Sequence, residues 1–160
     1  MSKIKRFDTS VLGEMLIGKD PLKIVRHFLL KKGHDPDKTI KEETNNSCRW
    51  MIDLSNGYEL EIYLDKIRTP SQATVYMGIN ILPVPIRGSL DFLVSVLEIA
   101  DGLIGAKLGL VGYFIILSVG LGAERITYEE LDYNYRLILA QKDWVKEAIL
   151  NEFEEEDIDV

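Results

Sequence analysis

The feature that most constrains the fold is an alternation of apolar and polar residues in three successive stretches between residues 48 and 81. Side chains on a β-strand point to opposite faces in turn, so every second residue shares a face. The apolar face consists of Cys48, Trp50, Ile52, Leu54, Tyr58, Leu60, Ile62, Leu64, Ala73, Val75, Met77, Ile79 and Ile81. Ser55-Asn56-Gly57 suits a tight turn, and Pro83 suits a strand end. The pattern predicts a three-stranded antiparallel meander with one face turned to a core.

Helical signals flank this meander. Asp20 as a cap and Pro21 as the first helical residue predict a helix over residues 21–32, which Gly33 ends. Its apolar stripe is Leu22, Val25, Phe28 and Leu29. A second helix is predicted from Ser89, with apolar residues at helical spacing at Leu90, Leu93, Val96, Leu97 and Ala100. Thr127 followed by Glu130 forms a capping box that predicts a last helix, with Leu131, Tyr135, Ile138, Val145 and Ile149 as its buried candidates.

The segment from Leu108 to Ala123 is uncharged and strongly apolar. It is shorter than the roughly 20 residues that a membrane-spanning helix needs, and its glycines weaken a helix. We therefore expect a second hairpin, Ala106–Val111 and Phe114–Leu121, apolar on much of both faces. The predicted fold class is α+β, a five-stranded antiparallel sheet packed by helices in the order α-β-β-β-α-β-β-α. The expected parts are an N-terminal arm (1–20), one domain (21–152) and an acidic C-terminal tail (153–160).

Charge and cysteine content limit the functional classes. The net charge of −7 disfavours nucleic acid as a partner, because phosphate binding requires clustered Lys and Arg. Cys48 is the only cysteine, so no internal disulfide is expected. The N-terminal sequence lacks the continuous apolar stretch of a signal peptide. We expect a cytoplasmic protein that binds neither nucleic acid nor membrane.

Candidate chemistry is sparse. Cys48 and His34 have the residue types of a nucleophile and base, but Cys48 falls on the apolar face of its strand and a small buried residue explains it better. His34, Asp35 and Asp37 have metal-ligand types, yet a helix end and a turn favour the same residues. We therefore predict no catalytic residue, no metal site and no cofactor.

The face opposite the core carries larger apolar groups than contact with water requires. These groups are Met51, Tyr63, Tyr76, Phe114 and Ile116. Aromatic residues and Met are enriched in interface cores, so we predict that these five residues bind a partner. A subunit, a client segment or the N-terminal arm would each satisfy this prediction. Scattered apolar residues are also normal on a sheet surface, and this interpretation stays open.

Two stretches carry a family resemblance. The matching pieces are Gly105 to Leu110, GAKLGL, and Ile126 to Leu131, ITYEEL. The order of elements and this wording resemble the YbjN-like proteins and the class I type III secretion chaperones over roughly residues 21 to 150. The resemblance implies a five-stranded sheet packed by helices, often in a homodimer, and binding of extended segments of client proteins.

The predicted function is therefore a non-enzymatic, chaperone-like domain that holds a polypeptide segment of a partner protein as a homodimer. A small-molecule-sensing regulatory domain, with a ligand between sheet and helices, is the alternative. A hydrolase using His34 and the nearby carboxylates is a third and weaker hypothesis.

Overall fold

A six-stranded antiparallel sheet forms the centre of the protein in the computed structural model, which describes residues 20–66 and 72–152. The strands are β1 (Ile40–Glu43), β2 (Ser47–Asp53), β3 (Glu59–Asp65), β4 (Thr74–Pro83), β5 (Lys107–Val111) and β6 (Phe114–Gly122). The helices are α1 (Pro21–Lys31), α2 (Pro36–Thr39), α3 (Ser89–Asp101) and α4 (Tyr128–Glu152). Short 3₁₀ turns lie at Ser55–Gly57 and Ala123–Arg125. The strands lie side by side in the order β1-β2-β3-β4-β6-β5.

The predicted apolar face of the sheet lines the hydrophobic core. Trp50 pairs with Ile62, Ile62 with Met77, and Met77 with Val119, so one row of core residues crosses four strands. Helices α1, α3 and α4 contribute Phe28, Phe92 and Ile138 to the same buried cluster. The expected meander and hairpin strands are confirmed, because alternation over a half-buried sheet is a direct consequence of strand geometry.

The predicted helix caps are also present. The Asp20 carboxylate accepts a hydrogen bond from the Leu22 amide at 3.0 Å, and the Thr127 hydroxyl accepts one from the Glu130 amide at 3.2 Å. Gly33 has φ +84°, a left-handed conformation that favours glycine after a helix. These local signals place α1 and α4 within a residue or two of the predicted bounds.

Two polar clusters hold α4 against the rest of the fold. Near its start, Asp132 pairs with Lys32, whose ammonium group also lies 5.1 Å from the Tyr135 ring centroid. Further along, buried Lys142 lies 4.5 Å from the ring centroid of Tyr58 and pairs with Asp143 at 2.6 Å. Burial, and then the Asp143 carboxylate, raise the pKa of Tyr58. The long helix is therefore fixed to both α1 and the turn between β2 and β3.

The prediction of five strands was wrong. The additional strand is β1, a sheet-edge strand of four residues with a bulge and no fully buried side chain. Its sequence, Ile-Lys-Glu-Glu, has no apolar alternation, because only Ile40 packs against the core and the other three residues are exposed. The one-turn helix α2, capped by Asp35, was also not predicted.

The second hairpin differs from the expectation of burial on both faces. Strand β5 is the other edge of the sheet, and Leu110 and Val111 are exposed. In α3 the buried residues are Phe92 and Val96, whereas Leu90 and Leu97 are exposed. An apolar sequence alone does not distinguish a core from an uncovered surface. The expected arm, apart from Asp20, and the acidic tail lie outside the described residues.

Within residues 20–66 and 72–152, no helix has the length and apolarity required to cross a bilayer.

Candidate partner-binding groove

A groove with a volume of about 270 Å³ crosses the sheet face that lies opposite the helices. We call it the outer-face groove. Side chains and backbone from β2, β3, β4, β5 and β6 line it, namely Met51, Glu59, Glu61, Tyr63, Tyr76, Met77, Gly78, Asn80, Gly109, Leu110, Val111, Ile116 and Ser118. On β3 and β6 the lining residues alternate, because the intervening residues point into the core. On β4 and β5 three consecutive residues line the groove, residues 76–78 and 109–111.

Strand register explains which groove residues are neighbours. Arg49, Tyr63, Tyr76 and Gly120 are successive partners in one row across β2, β3, β4 and β6. Tyr63 and Tyr76 are therefore a cross-strand aromatic pair. In the next row, Met51 lies opposite Glu61, and Glu61 lies opposite Gly78. The register thus places an aromatic row beside a row that contains a carboxylate.

Two glycines let side chains of the outer face pack closely on the neighbouring strand. A Cβ atom at Gly78 would lie 3.2 Å from Cγ2 of Ile116, and a Cβ atom at Gly120 would lie 3.1 Å from Cε1 of Tyr76. Both distances are shorter than ordinary van der Waals contact between carbon atoms. The absence of these two side chains lets Ile116 and Tyr76 lie over the backbone of the neighbouring strand.

Two glutamates line the groove. Glu59 and Glu61 lie two residues apart on one face of β3, and neither forms an ion pair with another described residue. Asp53 is the register partner of Glu59, which adds a third carboxylate directly opposite. Arg49, the basic residue in the same face of β2, pairs with Glu42 at 3.6 Å. A ligand for this groove would therefore gain from carrying Lys or Arg.

The predicted partner-binding residues have two locations. Met51, Tyr63, Tyr76 and Ile116 line the outer-face groove together. Phe114 lies outside its lining, at the start of β6 and opposite Val111, and its side chain is 43% exposed. Sequence reasoning missed Leu110 and Val111, because the apolar sequence of β5 suggested burial. The turn at Gly112 gave a usable signal, since it pairs Val111 with Phe114, which the sequence already assigned to the outer face.

Outside the groove, two of the candidate metal ligands, Asp35 and Asp37, have structural partners. The Asp35 carboxylate accepts a hydrogen bond from the Asp37 amide at 3.0 Å, and Asp37 pairs with Arg26. Cys48 is fully buried. Among the described residues, no group of three or more His, Cys, Asp or Glu side chains converges as metal ligands would. The hypothesis of a hydrolase centred on His34 has no supporting geometry here.

A second apolar surface lies on the helical side. Helix α3 and its flanking loops expose Ile86, Leu90, Val94, Leu97 and Ile104. Residues 90, 94 and 97 are four and three residues apart, so they form one stripe along the helix. The protein therefore has apolar surface both on the outer face of its sheet and on α3.

Comparison with known proteins identifies the fold. No family model and no curated protein matches the sequence. Among solved structures, a chain of the HopA1–SchA chaperone–effector complex aligns with 88% of this chain and 98% of its own length, at 14% identity and a TM-score of 0.50. A chain of the ExsC–ExsE complex aligns with 87% of this chain and 93% of its own, at 12% identity and a TM-score of 0.55. YbjN of E. coli aligns with 84% and 93%, at 14% identity and a TM-score of 0.45. The predicted resemblance to type III secretion chaperones is confirmed for the fold.

Proposed function

We propose that the protein is a non-enzymatic, chaperone-like binding protein that holds an extended segment of a partner protein in the outer-face groove. Its proposed place is the cytoplasm, and its proposed working form is a homodimer. The observation that carries the proposal is the composition of the groove. An apolar and aromatic floor lies beside carboxylates that have no described ion-pair partner.

The groove composition favours a polypeptide over a small ligand. Residues from five strands line it, so its floor follows the breadth of the sheet. Small-molecule sites usually enclose most of the ligand. The sensing alternative places a ligand between sheet and helices, but fully buried Trp50, Phe28 and Phe92 fill that layer. The geometry therefore favours a segment whose apolar side chains enter the groove and whose basic side chains meet Glu59 and Glu61.

The test is a selection of random peptides displayed on phage against the immobilised full chain. The wild-type protein should enrich peptides that combine large apolar residues with Lys or Arg. A variant with Met51→Lys and Tyr76→Lys removes the apolar floor and reverses the local charge, so it should no longer capture the enriched peptides. Binding is measured with synthetic copies of those peptides by fluorescence anisotropy.

A control introduces the same two lysines at exposed apolar residues elsewhere. Leu30→Lys with Tyr133→Lys alters side chains that are 60% and 55% exposed on α1 and α4. This control should retain peptide binding. Equal binding by the groove variant and the wild-type protein would reject the groove as the client site.

The exposed stripe of α3 supports the homodimer. In a two-fold symmetric dimer the same surface of each copy faces the other across the axis. One apolar stripe on α3 can therefore pack against its own copy to form the interface. Leu90→Glu with Leu97→Glu should convert a dimer to a monomer in sedimentation velocity, because four carboxylates would then be buried across the axis. Leu30→Glu, on α1, is the control that should leave the sedimentation coefficient unchanged. A wild-type protein that sediments as a monomer would exclude the homodimer.

A further inference from the structure

Residues 1–19 precede Asp20, and the sign of their net charge is opposite to that of the outer-face groove. They contain Lys3, Lys5, Arg6 and Lys19 but only two acidic residues, in a chain whose net charge is −7. Apolar residues, including Ile4 and Phe7, lie among the basic ones. We propose that this arm, residues 1–19, occupies the outer-face groove of its own chain when no client is bound.

The spacing of the charges gives the proposal its detail. In an extended segment Lys3, Lys5 and Phe7 share one face, because successive side chains alternate. On the groove face of β3 the same spacing places Glu59, Glu61 and Tyr63 on one side of the strand. The ammonium groups of the two lysines can thus pair with the two glutamates of β3. The Phe7 ring then lies next to the Tyr63 ring.

The length of the arm permits this contact. Nineteen extended residues reach about 60 Å. The six-stranded sheet is only about 25 Å across, at roughly 4.8 Å per strand spacing. The arm can therefore pass around an edge of the sheet wherever α1 begins. Tethering also gives it an effective concentration on the order of millimolar, which compensates for weak contacts.

The charges exclude the other candidate within the chain. Residues 153–160 include Glu154, Glu155 and Glu156. Their carboxylates would lie against Glu59 and Glu61, and like charges at such distances repel. The N-terminal arm is therefore the end of the chain that fits. This inference extends the proposed function, because a client would have to displace the arm to enter the same groove.

The experiment uses the full chain with a nitroxide on Ser10→Cys and methyl NMR signals of Met51, Ile116 and Leu97. Cys48 is fully buried and does not compete for the label. The label should broaden the signals of Met51 and Ile116, which line the groove, and spare Leu97 on α3. Glu59→Lys with Glu61→Lys should lower the broadening roughly ten-fold, since two surface ion pairs are lost.

Charge exchange separates docking from a change in fold. Lys3→Glu with Lys5→Glu should have the same effect as the groove variant, and combining all four changes should restore the broadening. Glu98→Lys with Glu147→Lys, exposed positions on α3 and α4, should leave it unchanged. Broadening that is absent, or unaffected by these charges, would overturn the proposal. So would broadening that appears only when spin-labelled chains are mixed with isotope-labelled ones, because the arm would then come from a second copy.

The two proposals fail in different ways. Loss of peptide capture with intact broadening would reject the client role and leave the arm in the groove. Peptide capture without broadening would reject the arm and leave the client role.

Discussion

The two faces of the sheet come from the same strands and differ by an offset of one residue. On β2, Trp50 faces the core and is fully buried, whereas its neighbour Met51 lies in the outer-face groove. The core face is apolar because folding depends on burying apolar surface, which stabilises the folded state by about 25 cal/mol per Å² removed from water. The outer face has no such requirement, yet it combines aromatic groups with carboxylates. This difference is what the proposed contact with another polypeptide segment requires.

The largest expected effect is a loss of stability from a substitution on the core face. Trp50→Ala should lower the free energy of unfolding by about 3–5 kcal/mol, since it removes a large fully buried side chain. Tyr63→Ala, on the groove face of the adjacent strand, should cost no more than about 1 kcal/mol, the value of a cross-strand pair. Urea unfolding followed by circular dichroism measures both. Similar losses for the two variants would contradict the difference between the faces.

An effect of intermediate size tests how the helices are held on the core face. Asp132→Asn should lower the free energy of unfolding by about 1–2 kcal/mol at pH 7, because Lys32 loses a charged partner beside two aromatic rings. Arg136, which lies 3.1 Å from the same carboxylate, loses its partner too. Glu129→Gln, at an exposed position in the first turn of α4, is the control and should cost less.

The same variant has a predictable pH dependence. The hydrogen bond from Lys32 holds the pKa of Asp132 below its ordinary value of 3.8, against the opposing effect of burial. A carboxylate with a lowered pKa in the folded state stabilises fully above its ordinary pKa and loses that contribution as pH falls through the folded-state pKa. The difference between wild type and Asp132→Asn should therefore be constant from pH 7 to about 5 and then shrink below it. An unchanged difference at pH 2 would rule out Asp132 as its source.

Much of the core face could be predicted from the sequence because periodicity and burial have one cause there. A helix start is stabilised by a capping side chain just before it, which Asp20 and Thr127 provide. A strand with one buried face needs an apolar residue at every second position, as at Trp50 and Ile62. Strand β1 escaped prediction because its residues contact the core too little to show a pattern. An edge strand forms mainly through backbone hydrogen bonds to the adjacent strand. Because these bonds do not depend on side chains, they leave little pattern in the sequence.

The groove could be predicted only in part. Alternation identified Met51, Tyr63, Tyr76 and Ile116 as outward-facing, and the register then brought them together. The close packing of Ile116 and Tyr76 depends on Gly78 and Gly120, whose role requires knowledge of which strand lies beside which. The apolar residues Leu90 and Leu97 of α3 were assigned no surface role, because helical spacing alone does not show which face of an apolar helix is covered.

The smallest expected effect concerns the outer face itself and has the opposite sign. Asp53 and Glu59 are directly opposite on neighbouring strands, and Glu61 lies two residues further along β3. Like charges in such positions destabilise a sheet. In a Lys3→Gln/Lys5→Gln background, where the proposed arm has no ammonium groups to pair with them, Glu59→Gln with Glu61→Gln should therefore raise the free energy of unfolding by about 0.2–1 kcal/mol at low salt. The gain should disappear near 1 M salt, where charges are screened beyond about 3 Å. Glu98→Gln with Glu147→Gln, at exposed positions on α3 and α4, is the control for the loss of two carboxylates away from the groove. With Lys3 and Lys5 intact, the docked arm pairs with both groove carboxylates in the folded state, so the changes at Glu59 and Glu61 should then lower the free energy of unfolding. A gain in stability that is seen only at low salt and only in the Lys3→Gln/Lys5→Gln background would mean that the unpaired carboxylates destabilise the folded protein. Such a cost is expected for residues that are retained for binding.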